Sequence, residues 1–268
     1  MGKNSESAKA AKQAAAAARA AAQADERARD RKVRIIGTIV VLVVMVGLLV
    51  PAIMKSNEPA VDPNAALPSG VTSQTYGVRV GSAWTAANAD SIPTLQLWED
   101  FQCPACGEFE KSAGTKLAEL VDAGKVRLEY RPTIFLDANL SDKNTAAGNP
   151  DSSLNATIAF GCAVDQGVAQ AYHGALFAAQ PADEGQGYSA ADLTAVAQTA
   201  GLADQKLTKF IECITNKVYE DWAQLSYQKF TEEGVTSTPT GILNGKELTS
   251  DVMFDAAALE KAITEATK

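Results

Sequence analysis

The chain has 268 residues, 46% of them hydrophobic and 21% charged, which is enough to bury a sizeable core. Its net charge of −8 is unevenly spread: residues 1–34 hold nine Lys/Arg against four Asp/Glu, whereas the stretch beyond Lys55 holds 14 basic against 28 acidic side chains. An acidic body of that kind repels phosphate and excludes nucleic acid as the partner.

Residues 8–30 form an Ala-rich, charged, low-complexity run with high helix propensity. It reads as a solvated, partly helical tail; docking to a partner or to anionic lipid is the alternative. Residues 35–54 (IIGTIVVLVVMVGLLVPAIM) carry no charge, and at 1.5 Å per residue such a helix spans about 30 Å, the thickness of a bilayer's hydrocarbon core. A cleaved signal peptide would have a shorter apolar region, a shorter leader and a small-residue cleavage site, so a retained transmembrane helix is the expectation. Arg27, Arg29, Arg31, Lys32 and Arg34 precede the span and only Lys55 closely follows it. The excess of positive charge places the N-terminus in the cytoplasm and the rest of the chain outside. Residues 55–74, with Pro59, Pro63 and Pro68, read as an extended tether.

Folded structure is expected from about residue 76. Strand patterns cover 76–80, 94–101 (TLQLWEDF) and 126–135, with a helical pattern over 104–121 between the last two. That order is a βαβ unit, with parallel strands and a right-handed crossover. Residues 140–232 change to helical spacing throughout, over 154–166, 168–180, 190–199, 205–214 and 218–232. Strand signals return after Gly234, where Asn244-Gly245 marks a two-residue hairpin turn, and an amphipathic helix over 254–264 ends the chain. The expected organisation is a tail (1–34), a transmembrane helix (35–54), a linker (55–74), an α/β frame built from 75–139 and 233–268, and an all-helical insertion (140–232).

Cys103-Pro104-Ala105-Cys106 lies where a predicted strand gives way to a helix. A helix N-terminus presents unpaired N–H groups and about half a positive charge, which favour a thiolate, and proline suits the first turn because it has no N–H to satisfy. Cys103 is then the exposed nucleophile and Cys106 the partner that resolves a mixed disulfide. A zinc site needs a second CxxC or a His pair, and this chain has neither; a permanently closed structural disulfide is the remaining alternative. No cofactor or metal is expected. Pro239 follows Thr238 just before a strand, a place that needs either a cis bond facing the cysteines or an ordinary trans turn. Glu99 and Asp100 end the strand before the motif and could relay protons, although solvated strand-end charges are the plainer reading. His173, the single histidine, has no evident partner and reads as a surface or packing residue. Trp98, Phe101 and Phe109 could form an apolar rim for unfolded chains, with at least one of them in the core.

The segments WEDFQCPACGEFE (98–110) and GVTSTPTGILNG (234–245) resemble the active-site and cis-proline segments of DsbA-like thioredoxin-fold oxidoreductases, and most of all the membrane-anchored actinobacterial type. The resemblance covers roughly 76–268. It implies a thioredoxin fold with an inserted helical domain, Cys103 as the sulfur exchanged with substrate thiols, and Thr238 and Pro239 lining the substrate groove. It also implies reduced exported proteins as substrates and a quinone-linked membrane reoxidase of the DsbB or VKOR type as partner. Two departures stand out. Ala105 replaces a histidine that stabilises the thiolate, so a less oxidising disulfide is expected; and Leu97 occupies the position, six before the nucleophile, where many thioredoxin-fold proteins bury a carboxylate. Cys162 and Cys213, outside the cytoplasm and in two helical contexts, favour a structural disulfide, an arrangement that actinobacterial relatives resemble; two separate buried thiols are the alternative. The expected function is disulfide introduction outside the cytoplasm. A surface reductase or isomerase using the same site, and a non-catalytic module that holds exported chains, are the rivals.

Overall fold

The computed structural model describes residues 61–267. The expected tail and transmembrane span lie outside the described residues, and no helix among the described residues is long and apolar enough to cross a membrane.

Five strands form one sheet in the order β1-β3-β2-β4-β5. They are β1 (Val78–Val80), β2 (Thr94–Glu99), β3 (Arg127–Pro132), β4 (Thr240–Leu243) and β5 (Lys246–Glu247). β2 runs parallel to β3, while β1 on β3, β4 on β2 and β5 on β4 are antiparallel. The β2–β3 crossover is helical: α1 (Pro104–Phe109), a π turn over Glu110–Gly114, then α2 (Thr115–Asp122). Side chains alternate across a strand, so register decides which residues share a face. Leu97 lies beside Tyr130, which in turn lies beside Val78, and this row faces the helical block through His173. Trp98 lies beside Arg131 on the opposite face, where Phe230 meets Trp98 edge-on at 5.4 Å. The β4–β5 turn has φ of 48° at Asn244 and 81° at Gly245, the positive values that a two-residue hairpin of matching twist requires.

The helical insertion comprises α3 (Asp137–Ala146), α4 (Ser152–Asp165), α5 (Ala169–Ala178), α6 (Ala190–Thr199), α7 (Asp204–Thr215) and α8 (Glu220–Glu232). It begins three residues before the expected boundary, because Asp137 does two jobs. It opens α3, and its carboxylate accepts the backbone N–H groups of Ser153 and Leu154 at 2.8 Å, serving the bare N-terminus of α4. Short α9 (Ser250–Met253) and α10 (Ala256–Glu265) close the chain, with α10 against α2.

The tether reading fails for the part of it that is described. Pro68 is buried against Gly161, and Leu67 and Val71 pack on the core. Ser69 donates from its N–H (2.9 Å) and hydroxyl (2.7 Å) to Asp165. Trp222 Nε1 donates to the Tyr76 carbonyl at 2.9 Å, so the chain is seated on α4 and α8 before the first strand begins. Three prolines in a polar stretch resemble a linker, but proline is also an apolar side chain, and here it fills a gap that a glycine leaves.

Candidate active site

Cys103 takes the N-cap position of α1 in extended conformation (φ −72°, ψ 118°), and Pro104 follows in the first turn. The helix therefore begins at the motif itself, directing the N–H groups of Ala105 and Cys106 towards the Cys103 sulfur. Cys103 is 8% exposed and Cys106 is fully buried, and both are free thiols. The Thr238–Pro239 bond is cis, and the Cys103 thiol donates to the Thr238 carbonyl at 3.4 Å. The structure thus brings Cys103, Cys106, Thr238 and Pro239 together across 135 residues of chain.

The two sulfurs have opposite electrostatics. The hydrogen bond from the Cys106 thiol is the main influence on Cys103; with the Thr238 side chain and the N–H groups of Cys106 and Ala105 it outweighs burial and lowers the Cys103 pKa to about 6. The Thr238 hydroxyl is buried and has no hydrogen-bond partner. Burial, followed by the nearby Cys103, pushes Cys106 well above the ordinary thiol value. One sulfur is an anion at neutral pH and, buried rather than exposed as expected, keeps only a narrow opening to solvent; the other holds its proton and is hidden. That asymmetry is what thiol–disulfide exchange through a mixed disulfide requires. Ala105 is exposed at the rim and contributes its backbone N–H, not a side-chain charge.

Glu99 and Asp100 correct the expectation of solvated charges. Glu99 is 2% exposed and Asp100 is fully buried, because the helical insertion covers the strand end. Asp100 acts as an anchor: it accepts from the N–H of Gln102 (2.9 Å), the Ser153 hydroxyl (2.7 Å) and the N–H of Leu136 (2.9 Å). Burial, partly opposed by these bonds, raises its pKa to about 7. Glu99 stands two residues after Leu97 on the same face of β2, one pleat nearer the motif, and accepts or donates to His173 Nε2 at 2.9 Å. Burial, then the charge of Cys103, raises its pKa well above the usual carboxylate value. His173 is accordingly no surface residue; it is buried, stacked on Tyr130 at 3.8 Å, and its pKa falls to about 4 through burial. The apolar rim is absent as well. Trp98, Phe101 and Phe109 are all core residues, with Phe101 edge-on to Phe160 and tilted against Phe177.

Several residues that hold the site escaped the sequence reading. Gln180 donates to the carbonyls of Phe101 (2.9 Å) and Cys103 (3.0 Å), and Tyr188 donates to the Phe101 carbonyl at 3.0 Å. Gly107 leaves the space that Gln180 enters, since a Cβ there would strike its Oε1. Gln102 donates to the Ser153 hydroxyl at 2.8 Å and accepts from Asn144 at 2.7 Å. Neither a glutamine 77 residues away nor an asparagine 42 away leaves a local pattern. Cys162 and Cys213 are bonded at 2.02 Å, joining α4 to α7.

A sequence model of the family described as thioredoxin matches residues 84–265. Among solved structures, oxidised DsbA of Mycobacterium tuberculosis is similar at 30% identity and a TM-score of 0.57, with 71% of this chain and 92% of that one covered. Reduced DsbG of the same organism is similar at 27% identity and a TM-score of 0.56, with 71% and 86% covered. MdbA of Actinomyces oris, described as a thiol-disulfide oxidoreductase, shares the fold at 19% identity and a TM-score of 0.62, with 74% and 92% covered. No curated protein sequence matches the chain.

Proposed function

The chain belongs to the thioredoxin family and is a DsbA-like protein thiol–disulfide oxidoreductase, and from that premise we propose that it introduces disulfides into exported proteins while anchored in the cell membrane. The observation that carries this reading is the paired electrostatics of Cys103 and Cys106 beside the Thr238 carbonyl.

The reaction begins from the Cys103–Cys106 disulfide. A substrate thiolate attacks Cys103 Sγ; a new S–S bond forms and the Cys103–Cys106 bond breaks, its electron pair leaving on Cys106. Burial makes that anion costly, so Cys106 takes up a proton at once. The mixed disulfide lies along Thr238–Pro239, where the backbone of residue 238 holds the substrate in extended form. A second substrate thiolate then attacks the substrate sulfur and Cys103 departs as a thiolate, a good leaving group with a pKa of about 6. The substrate has lost two electrons and the enzyme holds a dithiol. A quinone-linked membrane protein of the DsbB or VKOR type reoxidises it, and the charge-free segment 35–54, with the basic residues before it, keeps the site outside and near that partner.

The same site run backwards is a reductase or isomerase, and one observation favours it: no side chain at position 105 adds to the stabilisation of Cys103. A Cys103 pKa of about 6 falls between those of DsbA (about 3.5) and thioredoxin (about 7). The full chain, purified in detergent and equilibrated against glutathione, decides between them. An oxidase has a potential well above about −270 mV yet below about −120 mV, and it oxidises a reduced, unfolded protein in catalytic amount. A potential at or below about −270 mV assigns the chain to reduction and refutes the proposal.

A further inference from the structure

Behind the redox pair lies a second cluster of chemically able side chains that disulfide exchange does not use. Glu99 from β2, Glu110 from the π turn and His173 from α5 each offer one ligand atom, and these atoms lie within 4.8 Å of one another. We propose that Glu99, Glu110 and His173 form a binding site for one divalent transition-metal cation, of which zinc is the natural probe.

Glu99 is buried, yet its Oε1 has no hydrogen-bond partner, and Glu110 Oε1 is likewise buried and unpartnered. Two carboxylates share this apolar region with an uncharged imidazole, and the cluster opens on a cavity of about 350 Å³ lined by Gly107, Glu110, Gly114, Tyr130, His173 and Phe177. Lys111, the one ammonium in that lining, is paired with Glu108 at 2.7 Å. A divalent ion would neutralise both carboxylates and satisfy both orphaned oxygens.

The backbone is shaped to deliver the third ligand. The helix that starts at Cys103 widens into a π turn at Glu110, which re-aims that side chain inward; such turns recur at functional sites. Gly114, four residues on, leaves the room, because a Cβ there would collide with Glu110 Oε2. His173 is already oriented: Tyr130 stacks on its ring at 3.8 Å, and Phe101, Phe160 and Phe177 meet it at 5.1–5.8 Å. An ion with bonds of about 2.1 Å holds its ligands about 3.4 Å apart, and partly exposed Glu110 can close that difference by rotation. One imidazole nitrogen and two carboxylates, with water from the cavity completing the shell, suit zinc and its first-row neighbours; calcium and magnesium prefer oxygen alone.

The site is independent of the redox reading: a chain inert towards thiols would still bind the ion. Zinc is therefore titrated into the tag-free full chain in detergent with Cys103–Cys106 oxidised, so that no thiolate competes. Calorimetry follows the heat, and nitrogen-labelled histidine reports the ring of His173, the only histidine present. The expected result is one ion per chain with a shifted His173 Nε2 signal, at least tenfold weaker binding in E110Q and in G114A, and unchanged binding in E108Q. A His173 signal unmoved at millimolar zinc overturns the proposal, as does an E110Q chain that binds like the wild type.

Discussion

Replacing Cys106 by alanine tests where the reactivity of Cys103 comes from. The pKa of Cys103 lies at about 6 against an ordinary 9.0, a displacement worth about 4 kcal/mol of thiolate preference. The hydrogen bond from the Cys106 thiol is the largest influence, ahead of the Thr238 side chain and the two N–H groups of the helix end. A hydrogen bond to a charged group contributes about 1.5–3 kcal/mol, so C106A should raise the Cys103 pKa to roughly 7–8. At pH 7 the thiolate fraction then falls from roughly 90% in the reduced wild type to roughly 10–50%. The removal leaves one titrating thiol at the site, so far-ultraviolet thiolate absorbance and the pH dependence of alkylation by iodoacetamide both read Cys103 directly. A C106A chain that still titrates at about 6 refutes the reasoning. The helix end and Thr238 would then suffice, and the partner sulfur would be a resolving group only.

The pH dependence of stability should differ between the two redox states. Cys103 is depressed in the folded state, so the reduced form gains stability as pH rises from about 6 towards 9.0 and loses it as pH falls through about 6. Relative to the oxidised form, with which most carboxylate contributions are shared, the gain from pH 6 to 8 should be up to about 2 kcal/mol by urea unfolding, Glu99 reducing it because the Cys103 charge raises its pKa; a flat difference would contradict the assigned thiolate. Removing the Cys162–Cys213 bridge as the double alanine variant opens a loop of 51 residues and should cost up to about 4 kcal/mol, seen as a lower denaturation midpoint. Gln180→Ala strips a donor from the Phe101 and Cys103 carbonyls, so we expect a loss of about 1–3 kcal/mol in chemical denaturation. A neutral result there would mean that water replaces the amide without cost.

What could be read in the sequence was what depends on neighbours along the chain. The CPAC motif at a strand-to-helix boundary, Thr238-Pro239 before a strand, and the Asn244-Gly245 turn are all local, and the βαβ order around them defined the frame. What could not be read depends on the helical insertion as a cover. Glu99 and Asp100 look solvated in a short window because acids at a strand end ordinarily meet water; α3, α4 and α5 exclude it here. Trp98, Phe101 and Phe109 read as a rim with at least one member in the core, and the same cover puts all three there. The π turn at Glu110 leaves no trace in apolar spacing, since widening one turn shifts the register by a single residue. Residues 67–74 read as tether because the contacts that seat them are made with α4, 96 residues away at Ser69 and Asp165.

The loop before Cys103 explains why the insertion interrupts the frame at that point. Asp100, Phe101, Gln102 and Cys103 all lie outside regular structure, so their polar groups need partners from elsewhere. The insertion supplies them: Ser153 and Asn144 for the Asp100 and Gln102 side chains, Gln180 and Tyr188 for the Phe101 carbonyl, and Gln180 again for Cys103. A satisfied buried network is rigid, because each member moves only by orphaning another. Rigidity is what the chemistry asks for. The bond from Cys106 and the N–H groups of the helix end act on the Cys103 sulfur only over hydrogen-bonding distance, so drift of the loop would raise its pKa. The Cys162–Cys213 bridge reaches this network indirectly, since it ties down α4, the helix that carries Ser152 and Ser153 at its other end. The helical block therefore works as a clamp on the nucleophile, and the frame alone, with its acids uncovered and its loop unbonded, would leave Cys103 closer to an ordinary thiol.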